Sequence, residues 1–227
     1  HKLNEIKKIA DSVTVIRDGK TIETISKSDV TEERIIKDMV GRDLEHRYPD
    51  HTPHLGEEIL RVENWTAHHP QDSTRVMVDN VNLNVRAGEI VGIAGLMGAG
   101  RTELAMSIFG RSYGQGIRGQ VLMKGREVDV STIEKAIAQR IAYVTEDRKG
   151  YGLVLEETIS WNTTLANLGA VSRRSVIDAG QEYRVAEDYR RKLNVRCADV
   201  FQRVVNLSGG NQQKVVLSKW LFSDPEV

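Results

Sequence analysis

Alternating and clustered apolar positions divide the chain into segments. Val13 to Arg17 is a short β-rich run closed by Asp18-Gly19, and Lys20 to Ile25 is a second, so the pair predicts a hairpin with a type I′ turn. Thr31 is placed to cap a helix over Glu32 to Val40, with Ile35, Ile36, Met39 and Val40 on one side. Periodicity then stops. Gly41 to Gly56 holds two prolines and several charges, and residues 41–58 read as an interdomain linker. Short strands follow at Ile59 to Glu63 and at Val76 to Val85, the latter with alternating apolar positions. Ile90 to Ala94 is apolar throughout, which predicts a strand buried on both sheet faces, and Ile141 to Thr145 reads the same way. Thr102 to Phe109 and Ile133 to Arg140 are predicted helices, while Val121 to Met123 and Glu127 to Val130 form an antiparallel pair around Lys124-Gly125-Arg126. Gln181 to Leu193 carries Tyr183, Ala186, Tyr189 and Leu193 at near-helical spacing, which predicts a helix packed on a core.

Composition narrows the class. The 227 residues, 40% hydrophobic and 28% charged, leave room for one full α/β domain and a smaller piece. Lys and Arg total 32, as do Asp and Glu, and no long basic run is present to grip a phosphate backbone, so no nucleic-acid partner is expected. Cys197 is the single cysteine, which excludes an intrachain disulfide framework and a Cys-rich zinc site and suits a reducing compartment. No stretch approaches the roughly 18 to 20 apolar residues of a membrane span, and there is no apolar signal core. The chain starts at His1 inside what reads as a folded element and stops at Val227 just after Asp-Pro-Glu, so a fragment cut at both ends is expected.

Two glycine-rich turns carry the chemistry. The first, Gly95-Leu96-Met97-Gly98-Ala99-Gly100-Arg101-Thr102, lies between a predicted strand and a predicted helix, the order of a phosphate-binding loop. Glycines at 95, 98 and 100 let backbone N–H groups turn inward around a phosphate chain, with Ala99 between them, and the helix adds the positive end of its dipole. Thr102 supplies a hydroxyl suited to Mg²⁺. Arg101 stands where such loops carry lysine, and a planar guanidinium does not wrap a β/γ-phosphate as a compact ammonium does. The second turn, Leu207-Ser208-Gly209-Gly210-Asn211-Gln212-Gln213-Lys214, leads into a helix with Val215, Val216, Trp220 and Leu221 on its buried side. Ser208 is expected to cap that helix, and the two glycines after it leave the first N–H groups bare for an anion. Each turn alone has an ordinary alternative, an exposed glycine turn or a plain serine cap. Chance occurrence is on the order of 0.02 for the first pattern and 0.01 for the second at average residue usage, so their coexistence is informative.

Together the two motifs resemble the ATP-binding-cassette family, whose Leu-Ser-Gly-Gly-Gln signature is matched at Leu207 to Asn211 with Asn in the last place. The resemblance implies an α/β P-loop NTPase cassette with an antiparallel β subdomain and a helical subdomain, covering residues 59–227. Within it Gly95 to Thr102 is the Walker A loop, and Glu146 stands at the position of the family's Q-loop glutamine. Arg101, Glu146 and Asn211 all depart from the general pattern. The run Glu146-Asp147-Arg148-Lys149-Gly150, with Gly-Leu at 152 and 153, nevertheless resembles the second cassette of bacterial monosaccharide importers, as do both glycine turns.

In such tandem proteins the first cassette ends with a switch histidine, a helix and a hairpin. Residues 1–40 resemble that tail, which would make His1 the switch histidine. By the same resemblance His1 and Glu146 act in catalysis, and Thr102 with Glu146 binds the metal. Gly95, Gly98, Ala99, Gly100, Arg101 and Thr102 hold one nucleotide; Ser208, Gly209, Gly210 and Asn211 face the nucleotide of the first cassette. His69 is the candidate adenine contact, with Trp65 its rival, and His51, His54 and His68 are expected in solvent.

The cofactors implied are ATP and Mg²⁺. The partners implied are cassette 1 of the same chain, two transmembrane permease subunits and, indirectly, a periplasmic or extracellular sugar-binding protein. The implied location is peripheral, at the cytoplasmic face of the bacterial plasma membrane. Walker B and the catalytic glutamate would follow Val227, so these 227 residues alone are expected to hydrolyse no ATP. Two other classes share the motifs: a soluble tandem-cassette ATPase acting on ribosomes or DNA, and a nucleotide-binding regulatory module without turnover. The first favours a basic linker, and residues 41–56 contain no lysine.

Overall fold

The structure is a computed structural model that describes residues 3–41 and 52–227. It divides into two compact units, one up to Pro53 and one from His54 onward.

The first unit begins with helix α1 (Leu3–Ile9) and the hairpin β1 (Ser12–Arg17) and β2 (Lys20–Ser26), followed by α2 (Glu32–Val40). Asp18 and Gly19 both have positive φ, 50° and 75°, as the predicted type I′ turn requires. Thr31 accepts the N–H of Arg34 at 3.2 Å and caps α2 as expected, and Gly41, at φ 79°, ends it. Val15, Ile25, Val30 and Ile35 are buried against one another and form the small core of this unit.

The second unit is organised on a four-stranded antiparallel sheet in the order β4-β3-β5-β6, from β3 (Glu58–His69), β4 (Asp72–Arg86), β5 (Gln115–Met123) and β6 (Arg126–Val128). On β3 the buried residues run Leu60 and Val62, then Trp65 and Ala67, so the two-residue period slips by one between Val62 and Trp65. Asn64 sits in that slip at φ 52°, and the register with β4 shifts at the same place. A bulge therefore re-aims Trp65 into the core, where its indole N–H donates to Ser107 Oγ at 2.9 Å. His68 lies on β3 with its Nδ1 buried and without a partner, not in solvent as expected; the strand runs six residues past the predicted end at Glu63 and carries it inward.

Helix α3 (Arg101–Ile108) follows the glycine loop and α4 (Ile133–Ala138) follows β6. The C-terminal helical region holds α5 (Ile159–Thr164), α6 (Ala179–Lys192) and α7 (Gly209–Phe222). In α6 the predicted stripe is only partly interior. Ala186 is buried, but Tyr183 is exposed and stacks on Phe201 with ring centroids 5.7 Å apart.

Residues 90–94 and 141–145 form no strand and belong to no ladder, contrary to the sequence expectation. Ile90 is 82% exposed and Ile93 54%. A strand is completed by a hydrogen-bonded neighbour about 4.8 Å away, and among the described residues no strand pairs with 90–94. At 140–142 the N–H of Ile141 donates to Ala136 O at 3.1 Å and that of Ala142 to Val227 O at 2.8 Å, and Ile141 alone of its run is buried in the main core.

Candidate nucleotide site

The glycine loop is exposed and curled. Leu96 and Met97 are almost fully in solvent, while the N–H of Ala99 donates to Leu96 O at 3.1 Å and closes the turn. Gly98 and Gly100 have φ of 80° and 84°, and a Cβ on Gly100 would lie 2.7 Å from the carbonyl oxygen of Met77. Only glycine fits there, because the loop leans on β4 as it turns into α3. Gly100 is the N-cap of α3 and offers no side chain, which leaves the N–H groups of the first turn facing the loop. Arg101 folds back on its own loop, with Nη2 donating to Leu96 O at 3.4 Å.

Thr102 and Glu146, 44 residues apart, meet directly: Thr102 Oγ1 donates to Glu146 Oε1 at 2.8 Å. The phenol of Tyr143 donates to the other carboxylate oxygen at 3.3 Å. A hydrogen bond from its own backbone N–H holds the Glu146 carboxyl below the usual range, and the Thr102 hydroxyl adds to this. The folding stability these bonds contribute is therefore present above the ordinary glutamate range and is lost as pH falls through the lowered value. A carboxylate NMR titration of the parent should place Glu146 below an exposed glutamate, and Thr102→Val should move it upward; an unmoved value would show that the hydroxyl contributes nothing. A hydroxyl and an ionised carboxylate side by side are hard oxygen donors of the kind Mg²⁺ takes, one or two from protein and the rest from phosphate and water.

At the second turn Ser208 holds the N-cap position of α7, but its hydroxyl caps no backbone N–H. It accepts Asn211 Nδ2 at 3.0 Å instead, and Asn211 Oδ1 accepts the N–H of Arg196 at 2.9 Å. Asn211 thus ties the turn to the loop after α6, and the expected capping bond from the Ser208 side chain is corrected: the residue holds the N-cap position without making it.

Two residues at this turn escaped the sequence reading. Arg148 Nε donates to Gln212 Oε1 at 3.1 Å, and its guanidinium covers Gly209. The charged run containing Arg148 was visible, but its direction was not.

His69 ends β3, where its Nδ1 accepts the N–H of Gln71 at 3.2 Å. Trp65, at 1% exposure, is core and unable to stack on a base. His1 and His51 lie outside the described residues, and His54 is exposed.

The ABC transporter family pattern matches residues 78–227. This chain belongs to the ABC transporter family.

Over its whole length the cassette-bearing chain is 59% identical to the L-arabinose transport ATP-binding protein AraG of Geobacillus stearothermophilus and 48% identical to the xylose import ATP-binding protein XylG of Thermoanaerobacter pseudethanolicus. It spans 45% of each of those proteins. Among solved structures, the dimeric post-hydrolysis state of the ATP-binding cassette MJ0796 bound to ADP and Pi matches over 74% of this chain and 71% of that one, with a TM-score of 0.58 and 21% identity. The ADP conformation of the cassette MJ1267 matches over 75% and 66%, with a TM-score of 0.55 and 20% identity. At such identities the likeness concerns the fold alone, and that fold is an α/β ATP-binding cassette. Among the described residues no helix is long and apolar enough to cross a membrane.

Proposed function

We propose that this chain is part of an ATP-binding subunit that couples ATP binding and hydrolysis to import of a monosaccharide. The observation that carries the nucleotide reading is the 2.8 Å bond between Thr102 and Glu146, which sets two hard oxygen donors beside an open glycine loop at a helix start. The names of the relatives supply the sugar class: AraG is an arabinose transport protein and XylG a xylose import protein.

In this reading residues 1–40 are the tail of a first cassette, 41–58 a linker and 59–227 the larger part of a second. Gly95, Gly98, Ala99, Gly100 and Arg101 hold the phosphates of one nucleotide. Thr102 and Glu146 hold Mg²⁺, which neutralises phosphate charge when bound. Ser208, Gly209, Gly210 and Asn211 face the nucleotide of the first cassette, which His1 also touches, and His69 meets the base.

Closure of the two cassettes is passed to two permease subunits at the cytoplasmic face of the membrane, with a sugar-binding protein on the other side. A cavity of about 530 Å³ supports a docking surface along 147–168, because Tyr151, Leu165 and Leu168 line it together with Tyr143, on the segment that leads to Glu146.

Arg101→Ala in the full-length protein tests the assignment. Nucleotide binding at this loop should weaken, while total steady-state hydrolysis falls by no more than about twofold, because the other site performs the chemistry. Replacing the matching lysine of the first cassette should abolish hydrolysis. Complete loss of activity from Arg101→Ala in a folded protein that still binds ATP elsewhere would show two equivalent sites.

A further inference from the structure

Residues 146–152 touch both glycine turns. Glu146 meets Thr102 at one end, and the turn that follows is closed upon itself. Asp147 Oδ1 accepts the N–H groups of Lys149 and Gly150 at 3.2 and 2.9 Å, and its backbone carbonyl accepts those of Tyr151 and Gly152. A Cβ on Gly150 would lie 2.5 Å from Asp147 Oδ2, so the turn has no slack there.

Its far side is bonded to α7 twice. Arg148 Nε donates to Gln212 Oε1 at 3.1 Å, and Lys219 Nζ donates to Gly152 O at 2.7 Å. Gln212 is 5% exposed, and its Nε2 donates to Val204 O at 3.1 Å, so the side chain is held at both ends. The Arg148 guanidinium also covers the first turn of α7, where a Cβ on Gly209 would lie 2.8 Å from Nη2. Among the described residues Arg148 has no carboxylate partner. A cation beside the positive end of a helix is electrostatically disfavoured, so the Gln212 bond and packing hold it in place rather than charge attraction.

We propose that Arg148 is a positioning residue that couples the nucleotide held by loop 95–102 to the nucleotide facing Ser208 to Gly210. The proposal rests on the functional reading above. Mg-nucleotide in the loop draws on the Thr102 hydroxyl and the Glu146 carboxylate. The closed turn passes that displacement to Arg148 and Gln212, and so to the start of α7. An anion at the start of α7 attracts the guanidinium and acts in the opposite direction. Such coupling is reciprocal, and each nucleotide changes the affinity for the other by the same factor.

The test is a cycle in the full-length protein, with binding of Mg-ATP at the first cassette's site measured with and without Thr102→Ala. In the parent, disabling the loop should lower that affinity by about five- to tenfold. In an Arg148→Met background the effect of Thr102→Ala should fall below about twofold. Arg148→Lys, which keeps the charge but loses the Nε donor, should behave like Arg148→Met, and Gln212→Leu should add nothing to it. If Arg148→Met weakens both sites while the effect of Thr102→Ala is undiminished, the residue is merely structural and the proposal fails. It also fails if Arg148→Lys retains the parent's coupling. Photolabelling by the γ-azidoanilide of ATP, whose reactive azide lies at the phosphate end, should mark residues 95–102 of the parent. Absence of that label would overturn the nucleotide reading and the coupling with it, whereas labelling with unchanged coupling overturns the coupling alone.

Discussion

Ser208→Arg in the full-length protein is expected to stop sugar uptake and to bring ATP turnover to background, with the fold intact. Ser208 is exposed at the start of α7, and its hydroxyl engages only the Asn211 side chain. Little stability is at stake there, and surface changes of this kind stay within about 0.5 kcal/mol. On the proposed reading the binding surface is lost, because a long cation lies across the N–H groups assigned to a phosphate and is forced beside the Arg148 guanidinium over Gly209. Uptake in membrane vesicles and phosphate release from purified protein measure the effect, and thermal unfolding checks the fold. Normal uptake by a folded variant would show the signature assignment to be wrong.

The largest stability effect is expected at Trp65. Its indole is 1% exposed, and its N–H donates to Ser107 Oγ, which is itself fully buried. Trp65→Ala should cost about 3 to 5 kcal/mol, the range for emptying a large aromatic site in a close-packed core. Trp65→Phe should cost clearly less, since most of the volume is kept and Ser107 still donates to the carbonyl of Leu104. Denaturant unfolding of the full chain, with equal slopes for parent and variants, reads the difference. A Trp65→Ala midpoint close to that of the parent would mean that the bulge at Asn64 does not aim this ring into a load-carrying core.

Local rules made the hairpins legible. Asp18-Gly19 and Lys124-Gly125 each have two successive positive φ values, as a two-residue turn between short strands demands. The caps at Thr31 and Thr132 accept the N–H three residues on, a bond decided within one helical turn. Burial on both faces was not readable for Ile90 to Ala94. An apolar run states a preference for burial, but whether burial is achieved depends on neighbours contributed from elsewhere. Trp65 shows the complementary limit: strict alternation from Val62 would place it on the wrong face, and only the slip at Asn64 turns it inward.

The same division runs through the candidate site. Sequence alone determined the two glycine turns and their residue types, because φ above zero and close backbone approach restrict what can stand at Gly98 and Gly100, and those restrictions are local. It also singled out Thr102 and Glu146 as a metal pair, through resemblance. Only the tertiary structure decided that these two side chains meet at 2.8 Å, that Asn211 occupies the Ser208 hydroxyl, and that Arg148 lies over Gly209 against Gln212. The Thr102–Glu146 and Arg148–Gln212 contacts join positions tens of residues apart, and nothing in local propensity encodes the direction of a long polar side chain. That direction is set when β-sheet, loop and helix pack, as each buried donor and acceptor takes the partner that folding brings within reach.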